Sequence, residues 1–243
     1  MDKYGLIGKN IGFSFSKTFF TAKFLQEKRS DTYVNFDINT IDKLRAIVKE
    51  NSNLRGLNIT IPFKESVIPL LDRIDKEAKK IGAVNTVKIN RNGKLVGYNT
   101  DHYGFAKSLA DFLPMREKTA LILGTGGAAK AIAYVLDTMD FDYRYVSRTK
   151  HKTNLTYTEL NNTIISRYFL IVNCTPLGTF PKTEEFPDIP YEFLTHDHVL
   201  FDLIYNPRET EFLKMGHAKG ARVTNGLKML AYQAKKAWHI WKS

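Results

Sequence analysis

Three glycines lie between a short apolar run and a helical pattern near the middle of the chain, and they constrain the fold strongly. The apolar run is Thr119–Leu123, the turn is Gly124-Thr125-Gly126-Gly127-Ala128-Ala129, and the helical pattern extends to Asp137. A G-x-G-x-x-G/A turn in this strand–helix setting is typical of a dinucleotide site, because glycines allow a tight turn and close approach of the backbone to a pyrophosphate. The N-terminus of the helix favours the anion. The sequence therefore predicts a Rossmann-type unit.

The next strand pattern, Tyr143–Val146, ends in the basic run Ser147-Arg148-Thr149-Lys150-His151-Lys152. A cofactor with a free ribose 2′-hydroxyl usually meets Asp or Glu about 20 residues after the glycines. Here a hydroxyl and several cations occupy that position, which suits a 2′-phosphate held by charge-assisted hydrogen bonds. An ordinary basic loop is the alternative. With the glycines upstream, we predict NADP.

In the first half of the chain, the segment Gly56-Leu57-Asn58-Ile59-Thr60-Ile61-Pro62-Phe63-Lys64 alternates apolar and polar residues with the period of a strand. Pro62 has no N–H for a strand ladder, so we expect the strand to stop there. Lys64 then stands at the sheet edge where open α/β sheets bind ligands. An amide, a hydroxyl and an amine in this order suit a small polyhydroxylated molecule. An edge strand with a solvated lysine is the alternative.

Two further segments carry candidate groups. Ser14 and Ser16 precede the helical pattern Thr18–Lys28, where hydroxyls either cap the helix or receive a carboxylate. Taken alone, this pattern favours capping.

Further on, an Asn-Gly turn joins the strand patterns Gly82–Ile89 and Lys94–Asp101, which is a strong hairpin signal. Asp101 ends the second strand, so we expect it at the same sheet edge as Lys64.

Alternating strand and helix patterns followed by a hairpin predict a mixed, mainly parallel sheet with helices on its faces. The segment Glu65–Lys80 is helical in pattern. The predicted fold class is α/β with two α/β domains. One is a substrate-binding domain, residues 1–101 with the C-terminal helix 226–243, and the other is a Rossmann-type NADP-binding domain, residues 102–225. We expect the C-terminal helix, which has an apolar stripe, to pack back on the first domain.

The formal net charge of +11 raises the question of nucleic acid. The basic residues are mostly dispersed among acids, as in Asp72–Lys80, and the aromatics do not interleave with a basic stripe. A positive field also attracts an anionic small substrate and a phosphorylated cofactor. We prefer that interpretation.

A single cysteine, Cys174, allows no intrachain disulfide, and no Cys/His cluster has metal-ligand spacing. No apolar run approaches the length of a bilayer span, and the N-terminus lacks the features of a signal peptide. We therefore expect a cytoplasmic protein with no metal, acting on a small-molecule substrate as a monomer or homodimer. Nucleic acid and membrane are not expected partners.

The chain resembles the shikimate dehydrogenase family from its first strand to its last helix. Any one of the motifs that carry the resemblance could occur by chance, and their joint order makes it specific. They are Ser14-Phe15-Ser16, Asn58-Ile59-Thr60-Ile61-Pro62-Phe63-Lys64, Gly82-Ala83-Val84-Asn85-Thr86, Gly97-Tyr98-Asn99-Thr100-Asp101, Gly124-Thr125-Gly126-Gly127-Ala128, Ser147-Arg148-Thr149, Asn173-Cys174-Thr175-Pro176-Leu177-Gly178, and Gly226-Leu227-Lys228-Met229-Leu230 with Gln233.

The resemblance implies reversible reduction of 3-dehydroshikimate to shikimate by NADPH, with Lys64 and Asp101 as the acid/base pair. Whether Lys64 donates the proton or acts as a fixed charge is left open. For the substrate, it implies that Ser14 and Ser16 hold the carboxylate, that Asn58, Thr60, Asn85 and Gln233 bind ring hydroxyls, and that Tyr205 lies nearby. For the cofactor, it implies Gly124, Gly126, Gly127, Ala128, Ser147, Arg148, Thr149, Lys152, Asn173, Thr175, Gly226 and Met229.

The sequence departs from the family pattern in three places. Phe13 and Lys17 flank the paired serines where His and Pro are usual, and Ser147 replaces an Asn. The segment from Thr149 to Ser166 is short, so the second domain is expected to lack a helix or to carry a stunted one.

Three alternatives remain. The first is a quinate or aminoshikimate dehydrogenase that uses NAD, although Ser14 and Thr60 do not favour quinate and Arg148 opposes NAD. The second is a non-catalytic sensor, which would have no need of the pair Lys64 and Asp101. The third is a nucleic-acid-binding protein, suggested by charge alone.

Overall fold

The structure, a computed structural model, describes residues 1–12, 14–151 and 153–243. The chain divides into two compact units, residues 1–103 with 233–243 and residues 104–232. Each unit contains a six-stranded sheet together with helices, which confirms the predicted α/β class with two domains. The functional boundaries expected from the sequence, at 101/102 and 225/226, stay a prediction.

The first unit is built on a mixed sheet with the strand order β2-β1-β3-β5-β6-β4. Strands β1, β2 and β3 are parallel, whereas β5 is antiparallel to both β3 and β6. Its elements are β1 (Lys3–Gly8), α1 (Phe15–Gln26), β2 (Thr32–Asp37), α2 (Leu44–Glu50, after a 3₁₀ turn Ile41–Lys43), β3 (Leu54–Ile59), β4 (Arg73–Ile74), α3 (Lys76–Ile81), β5 (Thr86–Ile89), β6 (Leu95–Tyr98) and the start of α4 (Asp101–Leu109).

The last turns of the C-terminal helix α8 (Leu227–Lys242) pack on this sheet, as the sequence predicted. Trp241 stacks on Tyr4 with 5.0 Å between ring centroids and donates its indole N–H to Val87 O at 3.0 Å. A Cβ added at Gly56 would overlap the Trp241 indole, so the glycine gives the ring room against β3. Gln233 lies earlier on the same helix.

Two local predictions in this unit are wrong. Strand β3 ends at Ile59 rather than at Pro62; Phe63 N–H donates to Thr60 O at 2.9 Å, and Ile61 is 66% exposed. Residues 65–80 also do not form one helix. Asp75 N–H bonds Gly97 O at 2.8 Å, so the chain adds β4 to the sheet edge before the short α3 begins. Pairing with β6 outweighs the local helical pattern.

The second unit is a wholly parallel sheet with the strand order β12-β11-β10-β7-β8-β9. This is the arrangement expected of a Rossmann-type unit. Its elements are the rest of α4 with a 3₁₀ turn Ala110–Phe112, β7 (Thr119–Leu123), α5 (Gly127–Thr138), β8 (Asp142–Ser147), β9 (Leu155–Thr156), α6 (Asn162–Ile165), β10 (Leu170–Asn173), β11 (Val199–Asp202), α7 (Glu211–Ala218), β12 (Arg222–Thr224) and the start of α8.

The region between β8 and β10 is as reduced as the short sequence suggested. It holds the two-residue strand β9, a 3₁₀ turn Tyr157–Glu159 and the four-residue helix α6. The central strand β7 is buried at every position, as expected for a parallel strand covered on both faces. Among the helices in the described part of the chain, none has the length and apolar character to cross a bilayer.

Candidate active site

Lys64 and Asp101 form an ion pair in the first unit. Lys64 Nζ lies 2.7 Å from Asp101 Oδ2, and the two side chains are 16% and 3% exposed. Lys64 follows the turn after β3, and its carbonyl accepts the N–H of Val84 at 2.7 Å. Asp101 begins α4 instead of ending the hairpin strand, which stops at Tyr98. A carboxylate in the first turn of a helix is favoured by the helix dipole.

The side-chain amide of Asn85 connects this pair to other polar groups. Asn85 Nδ2 lies 2.9 Å from Asp101 Oδ1, 3.0 Å from Gln233 Oε1 and 3.0 Å from Thr100 Oγ1. Its Oδ1 accepts the backbone N–H of Thr100 at 2.7 Å and the hydroxyl of Thr86 at 3.1 Å. Asn85 is 4% exposed. It is therefore the buried centre of the polar cluster.

The orientation of the Asn85 amide follows from one of these contacts. The backbone N–H of Thr100 can only donate, so the atom facing it must be the amide oxygen. The Asn85 NH₂ group then faces Asp101 and Gln233. Because the Gln233 oxygen accepts from Asn85, the Gln233 NH₂ group is left to donate to another acceptor, such as a ligand hydroxyl.

Asn58 extends the cluster toward α1. Its NH₂ group donates to Thr86 Oγ1 at 3.2 Å, and its Oδ1 accepts the hydroxyl of Tyr33 at 2.8 Å. Tyr33 is buried, which raises its phenol pKa, and a hydrogen bond with Ser16 opposes that rise. A line of hydrogen bonds thus runs from Ser16 through Tyr33 and Asn58 toward Asn85. The sequence analysis did not name Tyr33 as a site residue, because a tyrosine in a strand such as β2 is also typical of an ordinary core position.

Ser14 and Thr60 each lie next to the end of a regular element of the first unit: Ser14 directly precedes α1, and Thr60 directly follows β3. Ser14 is the N-cap of α1, with its hydroxyl accepting the N–H of Lys17 at 3.2 Å, so the capping interpretation describes this serine. Capping uses one lone pair of the hydroxyl and leaves its proton for another acceptor. Thr60 follows β3, and its N–H bonds Ile7 O at 2.9 Å. Phe13, which precedes Ser14, lies outside the described residues.

The glycine turn of the second unit fits a pyrophosphate. Gly124 has a φ of +106°, in the region that favours glycine, and its N–H bonds Val146 O at 2.8 Å. Gly126 is different: its φ is −77°, and a Cβ added there would meet nothing within 4 Å. The fold itself therefore does not demand a glycine at position 126. Open space above a glycine at a helix N-terminus is the arrangement in which backbone approaches a phosphate. Gly127 and Ala128 form the first turn of α5.

The basic loop after β8 is well hydrogen-bonded. The Ser147 hydroxyl donates to Thr149 O at 2.6 Å. Lys150 Nζ contacts both carboxylate oxygens of Glu159, at 2.6 and 2.8 Å. Hydrogen bonds from Lys150 and then from Thr156 hold the pKa of Glu159 at about 2. The Lys150 ammonium group is thus paired with Glu159, whereas Arg148 is exposed to solvent. Lys152 lies outside the described residues.

The remaining predicted cofactor residues lie at the ends of β10 and at the start of α8. Asn173 is fully buried, and its Oδ1 accepts the Thr175 hydroxyl at 2.7 Å. A Cβ at Gly226 would overlap the carbonyl of Leu203. The close approach of the Leu203 backbone therefore requires glycine at this position whether or not a cofactor binds. Met229 is 4% exposed within the apolar core of the second unit. Their contact with a cofactor stays a prediction, as does the substrate contact of Tyr205, which is partly buried in the second unit.

A buried carboxylate that the sequence interpretation did not single out lies beside Asn173. Asp202, at the end of β11, accepts the Thr210 hydroxyl at 2.6 Å, the Ile204 N–H at 3.0 Å and the Asn173 NH₂ group at 3.1 Å. Burial raises its pKa to about 6, although these hydrogen bonds oppose the rise. Aspartate at the end of a strand is common, so the sequence alone did not distinguish Asp202 as a buried carboxylate.

We expect Asp202→Asn to change how stability depends on pH. With a folded-state pKa of about 6 and an ordinary unfolded value near 3.9, the native state binds more protons between these limits. The unfolding free energy of the wild type should then fall, relative to the variant, by roughly 2–3 kcal/mol as pH rises from about 4 to about 7. Urea unfolding of both proteins across this pH range measures the difference.

Asp197→Asn is the matched control for this experiment. A hydrogen bond from Arg116 holds the pKa of Asp197 below its ordinary value. Its contribution to stability is therefore present above the ordinary pKa and lost as pH falls, which is the opposite sign. Parallel curves for the wild type and Asp202→Asn would contradict the assigned pKa of Asp202.

The fold and these groups define the class of protein. A parallel sheet with a glycine turn and a basic loop is the dinucleotide unit of an oxidoreductase. An amine–carboxylate pair in a network of amides and hydroxyls suits proton transfer on a small polar substrate. Within the described residues, no group of three or more His, Cys, Asp or Glu side chains could hold a metal ion.

Comparison with known proteins identifies the family. Residues 6–87 match the family model described as "Shikimate dehydrogenase substrate binding domain". The chain is 36% identical over 259 residues to the shikimate dehydrogenase (NADP(+)) of Desulforamulus reducens, covering 98% of this chain and 88% of that protein. The chain belongs to the shikimate dehydrogenase family.

Solved structures agree. The crystal structure of shikimate dehydrogenase from Aquifex aeolicus superposes with a TM-score of 0.89 at 37% identity, over 99% of this chain and 92% of that one. The shikimate 5-dehydrogenase from Thermus thermophilus, solved in complex with NADP(H) and shikimate, gives a TM-score of 0.87 at 31% identity, over 99% and 93%. The predicted family and two-domain fold are confirmed.

Proposed function

We propose that this protein catalyses the reversible, NADP-dependent reduction of 3-dehydroshikimate to shikimate, with Lys64 and Asp101 at the reacting oxygen. One observation carries the assignment of the pair: Lys64 Nζ and Asp101 Oδ2 are 2.7 Å apart, and both side chains are largely buried. Family membership supports the reaction, and the geometry supports these residues as the groups that perform it.

The roles of the side chains follow from their hydrogen bonds. The ammonium group of Lys64 is aimed by Asp101 and stabilises negative charge that develops on the ketone oxygen as it becomes an alkoxide. A proton reaches that oxygen from this pair. Asn85 holds the second oxygen of Asp101 at 2.9 Å, which fixes the carboxylate. Because Asn85 is itself held by Thr100, the pair is preorganised before substrate binds.

The substrate ring is bound by the remaining polar groups of the cluster. Gln233 and Asn58 offer amide groups, Thr60 offers a hydroxyl, and Ser14 and Ser16 receive the carboxylate near the N-terminus of α1. Tyr205 is included on the family pattern. A ring with several hydroxyls needs such a set, since each buried hydroxyl without a partner would cost about 1–3 kcal/mol.

NADPH supplies the hydride when it is bound. Gly124, Gly126, Gly127 and Ala128 would cradle its pyrophosphate, and Ser147, Arg148, Thr149 and Lys152 would hold the adenosine end. Asn173, Thr175, Gly226 and Met229 complete the proposed set. The open space above Gly126 is the structural observation that favours this assignment.

Four spectrophotometric assays test the proposed function. Purified protein is mixed with shikimate or quinate, each with NADP or NAD, and absorbance is followed at the nicotinamide band. We expect the highest kcat/KM with shikimate and NADP. A preference for quinate or NAD would assign the protein to a different activity within the same family. The absence of reaction in all four assays would support a non-catalytic sensor.

The remaining parts of the proposal concern location and partners. We propose a cytoplasmic enzyme that binds small molecules only, as a monomer or homodimer. A nucleic-acid role would appear as DNA or RNA binding that weakens steeply with salt. Light scattering distinguishes the two oligomeric states.

A further inference from the structure

One buried side chain outside the basic loop holds most of that loop in place. Asn154 is 5% exposed, although it lies in a polar and mostly exposed segment. Its NH₂ group donates to the hydroxyl of Ser147 and to Thr149 O at 2.9 Å. Its Oδ1 accepts the N–H of His151 at 2.5 Å. One amide thus bonds the beginning, middle and end of the segment Ser147–His151.

Both the oxygen and the NH₂ group of the Asn154 amide are hydrogen-bonded to the loop. The His151 N–H can only donate and Thr149 O can only accept, so the two ends of the Asn154 amide are assigned without ambiguity. Leu155 O, at 3.3 Å, receives a weaker contact from the same NH₂ group. Replacing the side chain by one without an amide leaves the His151 N–H without its internal partner. The Ser147 hydroxyl and Thr149 O keep the hydrogen bond between them but lose their link to the end of the loop.

The loop needs such support because little regular structure follows it. Strand β8 ends at Ser147, and the next elements are the two-residue β9 and a single 3₁₀ turn. Lys150 is anchored separately, through Glu159. Arg148 lies between these two anchored points, so its backbone is fixed from both sides. A loop ordered in advance loses less entropy when it binds an anion.

We propose that Asn154 is a positioning residue for cofactor selectivity. It holds Ser147–His151 in the conformation that presents Arg148 to the 2′-phosphate of NADP. This inference rests on the proposed function, because it concerns how the same enzyme distinguishes NADP from NAD. Asn154 touches the loop, and its effect on the cofactor passes through Arg148.

Full-length Asn154→Ala tests the proposal through the ratio of kcat/KM values for NADP and NAD, measured with saturating shikimate. We expect KM for NADP to rise roughly tenfold, because the loop must then be ordered on binding. The KM for shikimate should stay within about twofold of the wild type, because shikimate does not contact this loop. The kcat/KM for NAD should fall by no more than about twofold, because NAD shares the adenosine contacts of the loop and lacks the 2′-phosphate that Arg148 binds. The selectivity ratio therefore falls by about fivefold to tenfold.

A double-mutant cycle with Arg148→Ala separates positioning from general destabilisation. If Asn154 acts through Arg148, adding Asn154→Ala to Arg148→Ala should not reduce the selectivity ratio further. The matched control is Asn161→Ala, which removes the N-cap of α6, where Asn161 Oδ1 accepts the Ile164 N–H at 3.1 Å, without touching the loop. It should lower stability and leave the ratio unchanged.

Three results would overturn the proposal: an unchanged ratio in folded Asn154→Ala, equal losses with both cofactors, or fully additive effects in the cycle. If Asn154→Ala does not fold, Asn154→Ser is measured instead; its hydroxyl is too short to bond Ser147, Thr149 and His151 together, so the same fall is expected. A wild type that shows no preference for NADP would instead contradict the proposed function, before any variant is compared.

Discussion

Lys64→Ala is expected to lose most of its turnover while keeping most of its affinity for shikimate. General acid–base help is worth about 10²–10⁴ in rate, so kcat should fall by about that factor. The KM for shikimate should change by less than about tenfold, because the amides and hydroxyls of the cluster still hold the ring. Steady-state kinetics measures the split, with saturating NADP for shikimate oxidation and saturating NADPH for 3-dehydroshikimate reduction.

Lys3→Ala is the matched control for that variant. Lys3 lies in β1 of the same unit, and its Nζ donates to Asn51 Oδ1 at 2.6 Å, so it too is a hydrogen-bonded lysine on the sheet. It should leave kcat unchanged. Near-normal turnover in Lys64→Ala, with a large rise in the KM for shikimate, would make Lys64 a binding group and remove it from the chemical step.

Gly126→Ala should fold normally and bind NADP poorly. A Cβ there meets no protein atom within 4 Å, and the backbone φ of −77° suits any L-residue. The methyl group would stand where backbone approaches the pyrophosphate, so KM for NADP should rise about 100-fold, or about 3 kcal/mol. Thermal unfolding without cofactor and initial rates over a range of NADP concentrations measure the two effects.

Gly216→Ala provides the contrasting steric case. A Cβ on this helix α7 residue would overlap Leu200 Cδ2 in the core, so the variant should lose stability while KM for NADP stays near the wild-type value. If Gly126→Ala instead melted early, or bound NADP as the wild type does, the cradle assigned to this turn would be wrong.

The local patterns of the sequence predicted the parts of the fold that depend on short-range chemistry. The glycine turn at 124–129 forms between β7 and α5 because its signals are all local. The pairing of Arg73–Ile74 with β6 depends on a strand more than 20 residues away, and the local helical pattern of 65–80 gave the wrong prediction. Tertiary pairing decided that segment.

The candidate site shows the same limit. Lys64 and Asp101 were predicted to reach one edge, and they lie 2.7 Å apart. The central position of Asn85 could not be predicted, because its partners come from α4 and from Gln233, 148 residues further along the chain. Burial likewise distinguishes Asp202 and Asn154 from many similar side chains, and burial is a property of the folded chain.

A crystal structure of the enzyme with shikimate bound tests the central claim most directly. We predict that the hydroxyl oxygen that is oxidised lies within hydrogen-bond distance of Lys64 Nζ or of an Asp101 carboxylate oxygen, with the ligand carboxylate at Ser14 and Ser16. A ligand bound the other way round, with its carboxylate paired to Lys64 and its reacting hydroxyl remote from both residues, would contradict the account.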